Sequence, residues 1–254
     1  MDTALRLETE IQAREAPEQT RTLVVLGDSI AYGWGLPYEQ SFPAVLEGLL
    51  TRDTAAKGAW RVINAGVPGD TALMGCARYA RDVTPFAPQI VVLCFGLNDA
   101  ALRRTQFDAQ RERLWQAQHC PWMRLRVIGE RFLPHGGEVR RELRPRVRPR
   151  LFVAALRELV RRARREGAVV YLLSMTPALG QGLTPQQRQL YERYNELIRK
   201  AARREEVALV DLRDAQLAPF LPATMLAEDG IHLTASGQEW LANSLYGCLI
   251  QKRL

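Results

Sequence analysis

The stretch Thr22-Leu-Val-Val-Leu-Gly-Asp-Ser29 contains the clearest indication of the fold. Its branched apolar run is short and ends at Gly27, which predicts a buried strand over Thr22–Leu26. Similar runs recur along the chain and predict four later strands, at 60–64, 89–95, 168–173 and 207–210. Because segments with helical periodicity separate these runs, we expect β-α-β units and a mostly parallel sheet with helices on both faces.

Five segments between or after the strands have apolar residues at helical spacing. We predict helices over Ser41–Leu50, Thr71–Arg81, Leu151–Glu166, 185–204 and 235–250. Ser41, Thr184 and Thr234 are each placed to cap the helix that follows, since a hydroxyl oxygen can accept from first-turn N–H groups. With no internal repeat or low-complexity linker, we expect an N-terminal arm at 1–20 and one domain at 21–254.

The composition is that of an ordinary globular protein, with 47% apolar and 25% charged residues among 254. This balance excludes a disordered or fibrous chain, and no apolar run approaches the ~18 residues of a membrane span. The four cysteines are widely scattered and match no zinc-site spacing. We therefore expect reduced thiols and, because residues 1–20 contain no apolar signal segment, a cytoplasmic protein.

The net charge of +7 is unevenly distributed along the chain. Residues 101–165 hold 18 Arg against six Asp and Glu, or +12, which leaves −5 for the remainder. Such a block can serve nucleic acid, anionic lipid or an acidic substrate, or it can be a solvated surface. We favour a solvated surface and expect Arg140–Arg150 to be exposed. No recognition motif accompanies the charge, so we expect no nucleic-acid partner.

Polar residues and glycines cluster at one predicted edge of the sheet. Ligands of parallel α/β sheets bind beyond the carboxyl ends of the strands. Four short segments fall there: Gly27-Asp28-Ser29, Asn64–Asp70, Gly96-Leu-Asn98-Asp99 and Asp229-Gly-Ile-His232. The first three follow strands one, two and three, and the fourth lies in the loop after strand five. The topology alone therefore brings these segments together.

The residue types in these segments point to acyl transfer. Ser29 is a candidate nucleophile, and a serine hydroxyl needs an adjacent base. His232 can supply that base, and Asp229, three residues earlier, can orient the imidazole and stabilise its protonated form. The backbone N–H groups of Ser29 and Gly69 and the side-chain amide of Asn98 are donors suited to an oxyanion.

Each of these residues also has a purely structural interpretation. A serine or asparagine in a loop often bonds its own backbone, which applies to Ser29 and Asn98. Gly69 can be an ordinary turn glycine, and His232 can belong to the entry of the following helix. All four residues acquire a chemical role only through the presence of the others at the same edge.

Two further acidic residues, Asp28 and Asp99, lie at the same edge. We expect them to support their neighbours through hydrogen bonds rather than to take part in the chemistry. A metal site combining them with Asp229 and His232 has no supporting ligand spacing. We therefore expect neither a metal nor an organic cofactor.

Together the four segments resemble the four sequence blocks of the SGNH (GDSL-like) hydrolase family. They occur in the family's order and span roughly residues 23–245. Ile30 stands where the family name has Leu, and the stretch 31–37 also resembles the esterase and lysophospholipase branch. The resemblance implies a flavodoxin-like three-layer α/β/α sandwich with a five-stranded parallel sheet.

The resemblance also implies roles for individual residues. Ser29 corresponds to the nucleophile, His232 to the base and Asp229 to the residue that orients the base. Gly69 and Asn98, together with the Ser29 amide, correspond to the oxyanion hole.

An Arg-rich insertion at about 101–150 is the main departure from the family pattern. It begins directly after Asn98-Asp99, beside the predicted site. Within it, the segment Leu114–Ile128 interleaves Trp and apolar residues with Arg. Three interpretations stay open: a lid over an acyl pocket, an interfacial element in weak contact with an anionic membrane surface, and ordinary packing.

We therefore predict a serine hydrolase that cleaves carboxylic esters through an acyl-enzyme, with short acyl, aryl or carbohydrate acyl esters favoured. One alternative is a lysophospholipase or thioesterase that acts on longer acyl chains. A second is a non-catalytic module that binds anions through its Arg block. The expected partner is a small-molecule ester, and the sequence favours no particular oligomeric state.

Overall fold

A computed structural model describes five parts of the chain: residues 20–53, 59–102, 144–176, 183–212 and 223–251. The predicted arm lies outside these residues except for its last position. Most of the predicted insertion also lies outside them, including the whole of Leu114–Ile128. The predicted domain limits and the three interpretations of that segment therefore stay predictions.

Five parallel strands form one sheet in the order β2-β1-β3-β4-β5. Their bounds are β1 Arg21–Gly27, β2 Trp60–Gly66, β3 Ile90–Cys94, β4 Val169–Leu173 and β5 Ala208–Val210. The strand order reverses between β1 and β3, which creates a crevice at the carboxyl end of β1. The predicted five-stranded parallel sheet is confirmed, and every strand was predicted to within two residues.

Seven α-helices occur in the described residues. Their bounds are α1 Ser29–Tyr32, α2 Phe42–Arg52, α3 Ala72–Asp82, α4 Leu97–Ala100, α5 Pro149–Arg165, α6 Pro185–Glu205 and α7 Ala235–Gln251. Short 3-10 turns occupy Tyr38–Gln40, Thr84–Phe86 and Ala223–Met225. The five predicted helices are present, while the one-turn helices α1 and α4 were not predicted because they are too short to show periodicity.

The helices form two layers around the sheet. Helix α2 packs against α7, whereas α3 packs against α5 and α5 against α6. The chain moves in one direction from β1 to β2 and in the opposite direction afterwards, so right-handed crossovers place these two groups on opposite faces. Both faces of the central strands are covered, and residues 23–26 of β1 are completely buried. No helix in the described part of the chain is long and apolar enough to cross a membrane.

All three predicted cap residues precede their helices, but only the hydroxyls of Thr184 and Thr234 make the expected capping bond. The hydroxyl of Thr184 accepts from the N–H of Gln187, and Thr234 caps α7 in the same way. Ser41 occupies the position before α2, but its Oγ donates to the carbonyl of Tyr38 at 2.6 Å. The first N–H of α2 is satisfied instead by the side chain of Gln238, from α7.

Candidate active site

The carboxyl end of β1 places Ser29 at the start of helix α1. Asp28 precedes it, and the carboxylate of Asp28 accepts from the N–H of Ile30 at 3.0 Å, which caps the short helix. Gly33 ends the helix in a left-handed conformation with φ of +80°. The nucleophile candidate is thus held in a rigid single turn at the point where the strand order reverses.

The structure brings Ser29, His232 and Asp229 into one hydrogen-bonded series. The Oγ atom of Ser29 lies 2.9 Å from Nε2 of His232. The other ring nitrogen, Nδ1, lies 2.5 Å from Oδ2 of Asp229. The second carboxylate oxygen accepts from the backbone N–H groups of Ile231 and His232, both at 2.9 Å. Asp229 therefore fixes both the turn that holds His232 and the imidazole ring itself.

The hydrogen bonds around Asp229 favour its ionised form. Burial opposes ionisation, but the bond from the His232 ring and those from the backbone N–H groups of His232 and Ile231 outweigh it. The pKa of Asp229 consequently lies below its usual value. An ionised carboxylate can only accept, so the hydrogen on Nδ1 points toward Asp229 and Nε2 is left to accept from Ser29.

The two other predicted oxyanion donors meet through a shared neighbour, Arg146. Nδ2 of Asn98 donates to Oδ2 of Asp28 at 3.3 Å. Nη1 of Arg146 lies 3.1 Å from Oδ1 of Asn98 and 3.1 Å from the carbonyl oxygen of Gly69. Gly69 has φ of +82°, a left-handed conformation that favours glycine. Gly69, in the loop after β2, and Asn98, in α4, are therefore both hydrogen-bonded to the guanidinium of Arg146.

The predicted solvated stretch Arg140–Arg150 needs correction at this point. Arg144, Arg148 and Arg150 are exposed, as expected, but Val147 is completely buried and Arg146 is half-buried. The segment folds back on the chain after Asn98 because an apolar residue there enters the core. Val147 is a lone apolar residue among alternating Arg and Pro residues. Its presence indicated that this part of the stretch would turn toward the core and bring Arg146 with it.

Asp28 and Asp99 bond their neighbours, as predicted. Both carboxylate oxygens of Asp99 accept from the N–H of Ala72, at 3.1 and 3.2 Å, and so cap α3. Asp28 is nearly inaccessible to solvent. Burial raises the pKa of Asp28 to about 6, even though the bonds from Ile30 and Asn98 act in the opposite direction.

A buried arginine that the sequence did not single out supports the end of β1. Arg78 bonds Asp70 at 2.6 Å and Asp82 at 2.9 Å, and its Nη2 donates to the carbonyl oxygen of Gly27 at 2.9 Å. Burial raises the pKa of Asp70, although the guanidinium of Arg78 acts in the opposite direction. This network joins α3 to the strand that precedes Ser29.

Aromatic side chains border the site on its open side. The ring of Trp34 lies 6.2 Å from the ring of His232 and 6.5 Å from that of Tyr32, measured between centroids. Trp34 is 52% exposed and Tyr32 is 49% exposed. The described residues contain no group of three or more His, Cys, Asp and Glu side chains arranged to hold a metal ion.

The chain belongs to the GDSL-like lipase/acylhydrolase family, whose sequence profile matches residues 25–240. That range includes all four segments at the carboxyl edge of the sheet. The resemblance derived from the four sequence blocks is therefore confirmed.

Two curated proteins show local sequence similarity to this chain. An arylesterase of Vibrio mimicus is 34% identical over 85 residues, which are 33% of this chain and 40% of the relative. Esterase TesA of Pseudomonas aeruginosa is 37% identical over 79 residues, which are 31% of this chain and 38% of the relative. Each match thus covers less than half of the relative's length.

Solved structures resemble this chain over most of its length. The crystal structure of TesA has a TM-score of 0.61 at 24% identity and covers 92% of this chain and 100% of its own. A lipase/acylhydrolase from Enterococcus faecalis has a TM-score of 0.62 at 23% identity, covering 90% and 94%. A mutant of Axe2, an acetylxylan esterase from Geobacillus stearothermophilus, has a TM-score of 0.61 at 21% identity, covering 90% and 93%. These likenesses confirm the predicted fold.

Proposed function

We propose that this chain is a serine hydrolase that cleaves carboxylic esters. The observation that carries the proposal is the hydrogen-bonded series from Ser29 Oγ through the His232 ring to Asp229, at 2.9 and 2.5 Å. A hydroxyl bonded to an imidazole whose far nitrogen is held by a carboxylate is the arrangement that activates serine for attack on a carbonyl. Membership of the GDSL-like lipase/acylhydrolase family supports the same chemistry.

The reaction proceeds in two halves. Oγ of Ser29 attacks the ester carbonyl carbon while Nε2 of His232 takes the hydroxyl proton, and Asp229 stabilises the imidazolium that results. The tetrahedral intermediate collapses, the C–O bond to the alcohol breaks, and Nε2 returns the proton to the departing oxygen. Water then attacks the acyl-enzyme, with Nε2 again taking a proton, and the acid leaves as Ser29 recovers its hydrogen.

The oxyanion of each tetrahedral intermediate is stabilised by three donors. They are the backbone N–H groups of Ser29 and Gly69 and the Nδ2 amide of Asn98. Nδ2 carries two hydrogens, of which one is donated to Asp28; we assign the other to the oxyanion. Donors held in place before the reaction stabilise the developing charge without reorganisation.

We propose esters with a short acyl group and an aryl or carbohydrate alcohol as substrates. The exposed ring of Trp34 beside His232 provides a flat surface on which an aromatic or sugar ring can pack. Among the described residues, a small cavity behind Asp28, lined also by Phe95 and Met175, has a volume of about 10 Å³, which is too small for a long acyl chain. An arylesterase and an acetylxylan esterase among the similar proteins support this choice.

Hydrolysis of nitrophenyl esters with acyl chains of about two to twelve carbons tests the proposal. Wild type is compared with Ser29→Ala and with Ser236→Ala, a control at an exposed serine in the first turn of α7. We expect the Ser29 variant to lose turnover at every chain length, and to lose covalent labelling by a fluorophosphonate. The Ser236 variant keeps both activities. Turnover that persists in Ser29→Ala contradicts the proposal.

The same series separates the substrate classes. Highest kcat/KM at two to four carbons supports a short acyl group, whereas an optimum at eight or more supports the longer-acyl alternative. The Arg-mediated anion-binding alternative predicts no turnover at all and binding that weakens steeply with salt. Within the Arg block, Arg157 and Arg162 already pair with carboxylates, which leaves fewer arginines for an anionic partner.

A further inference from the structure

Arg146 contacts the two segments that carry the proposed oxyanion donors Gly69 and Asn98. A single nitrogen, Nη1, donates to the side-chain oxygen of Asn98 and to the backbone carbonyl of Gly69, each at 3.1 Å. Asn98 follows β3 and Gly69 follows β2, so the guanidinium joins segments that the sheet order separates by β1. The arginine itself comes from a third segment, 48 residues after Asn98.

The backbone around Arg146 is anchored to the chain that follows Asn98. The N–H of Arg146 donates to the carbonyl of Ala101 at 2.8 Å, and the N–H of Val147 donates to the carbonyl of Asp99 at 3.0 Å. The buried hydroxyl of Tyr194 donates to the carbonyl of Val147. This anchoring fixes the position from which the guanidinium reaches the site.

The amide of Asn98 is oriented by opposite charges at its two ends. A guanidinium can only donate, so Arg146 requires the amide oxygen on its side. Above its pKa of about 6, Asp28 is an ionised carboxylate that can only accept, so it requires the amide nitrogen on its side. Reversing the amide would place two donors together at one end and two acceptors at the other. Asn98 is therefore held in the one orientation that directs an Nδ2 hydrogen to the oxyanion.

We propose that Arg146 is a positioning residue for the oxyanion hole. It fixes the position of the Asn98 amide relative to the Gly69 loop. Its positive charge, placed beside the amide oxygen of Asn98, also polarises the N–H bonds of the same amide. The inference rests on the proposed function. Arg146 acts through Asn98 and Gly69 and is not itself assigned a contact with substrate.

Arg146→Gln tests this role in wild type and in the Asn98→Ala background. Deleting one oxyanion donor lowers kcat by about 10²–10³-fold, and we expect loss of its positioning residue to lower kcat by about 10–100-fold. KM changes little, because the donors act on the transition state. In the Asn98→Ala background the same replacement lowers kcat by at most about fivefold, because the effects of replacing two residues that act together are not additive.

Binding of phenylboronic acid gives a second readout that a merely structural role would not move. Its tetrahedral adduct with Ser29 places an oxygen in the oxyanion hole, so we expect its affinity to fall in parallel with kcat/KM in Arg146→Gln. Arg150→Gln is the matched control, because it removes the same charge from an exposed position four residues away. That control keeps wild-type kcat and wild-type boronate affinity.

The outcomes separate this inference from the proposed function. Turnover in Ser29→Ala overturns the proposed function whatever Arg146 does. With Ser29→Ala inactive, wild-type kcat in Arg146→Gln overturns the positioning role, and so does an equal loss in the presence and absence of Asn98. If Arg146→Gln fails to fold, Arg146→Lys carries the test, because it keeps the charge without the planar guanidinium. We expect Arg146→Lys to lower kcat by about tenfold when Asn98 is present and to have no such effect in the Asn98→Ala background.

Discussion

Ser29 and His232 stand 203 positions apart in the sequence, yet Oγ and Nε2 are 2.9 Å from each other. A second long-range contact fixes that distance. Gln238, in the helix that follows His232, donates to the carbonyl of Ile30 at 3.1 Å and accepts from the N–H of Phe42 at 2.8 Å. The amide of this buried residue therefore joins α7 to α1 and α2, and the His232 loop approaches Ser29 as part of one packed unit.

Asp229→Asn is expected to lower kcat by about 10²–10⁴-fold while the fold is kept. The asparagine oxygen can still accept from the backbone N–H groups of Ile231 and His232, so the turn is preserved. Its amide nitrogen then faces Nδ1 of His232 and forces that atom to accept. The ring hydrogen moves to Nε2, which can no longer take the proton from Ser29. Steady-state hydrolysis of nitrophenyl acetate measures the loss.

Glu228→Gln provides the control for this variant. Glu228 is the exposed neighbour of Asp229, so the replacement removes a carboxylate of the same charge without touching the imidazole. We expect its kcat to match wild type and both variants to melt close to the wild-type temperature. A kcat for Asp229→Asn within about threefold of wild type would mean that Asp229 does not set the tautomer of His232.

Asp28→Asn is expected to change how stability depends on pH. Burial raises the pKa of Asp28 to about 6, from an ordinary value of 3.8. The folded protein therefore holds a proton on this group that the unfolded chain releases, and the resulting stabilisation is present below pH 3.8 and lost as the pH rises through 6. The asparagine variant lacks this loss, so its stability relative to wild type improves by about 2–3 kcal/mol between pH 4 and pH 8.

Urea unfolding of both proteins across that pH range measures the difference. At acid pH the variant is expected to be less stable by about 1 kcal/mol, because two amide nitrogens then face each other where Asn98 donated to Asp28. Glu39→Gln, at an exposed carboxylate, serves as the control and keeps the wild-type dependence on pH. A constant difference between Asp28→Asn and wild type at every pH contradicts the raised pKa.

The sheet and the site edge could be predicted because their signals are local. A run such as Leu23–Leu26 identifies a strand without reference to any other part of the chain. Once the strands are known to be parallel, their carboxyl ends share an edge, and Ser29, Asn98 and His232 fall there. The distances between these side chains could not be predicted, because they depend on how the helices pack.

The residues that support the site were missed for a different reason. Arg78 belongs to the amphipathic face of α3 and has no motif around it. Gln238 has no local signal either, since its amide bonds residues 196 and 208 positions away. Arg146 belongs to a segment whose charge favours solvent, and only contacts with Asn98 and Gly69 reverse that expectation. Long-range polar contacts of this kind leave no periodic pattern in a sequence.

Gly66, in β2, lies directly against the backbone of the helix that carries Ser29. A Cβ atom built there would lie 2.3 Å from the backbone nitrogen of Tyr32 and 2.7 Å from the carbonyl carbon of Ala31. Both are backbone atoms, so no side chain can move aside to make room. Any larger residue at 66 must displace α1 as a whole. Gly48, in α2, has nothing within 4 Å of its added Cβ.

We therefore expect Gly66→Ala and Gly48→Ala to have opposite effects on stability. Overpacking against α1 destabilises Gly66→Ala by about 1–3 kcal/mol, whereas alanine inside helix α2 stabilises Gly48→Ala by about 0.5–1 kcal/mol. The first variant also loses activity by about tenfold or more, because moving α1 changes the separation of Ser29 from His232. Thermal melting and nitrophenyl acetate hydrolysis measure both effects. If Gly66→Ala is less stable but turns over at the wild-type rate, the displacement of α1 does not change the position of Ser29 relative to His232.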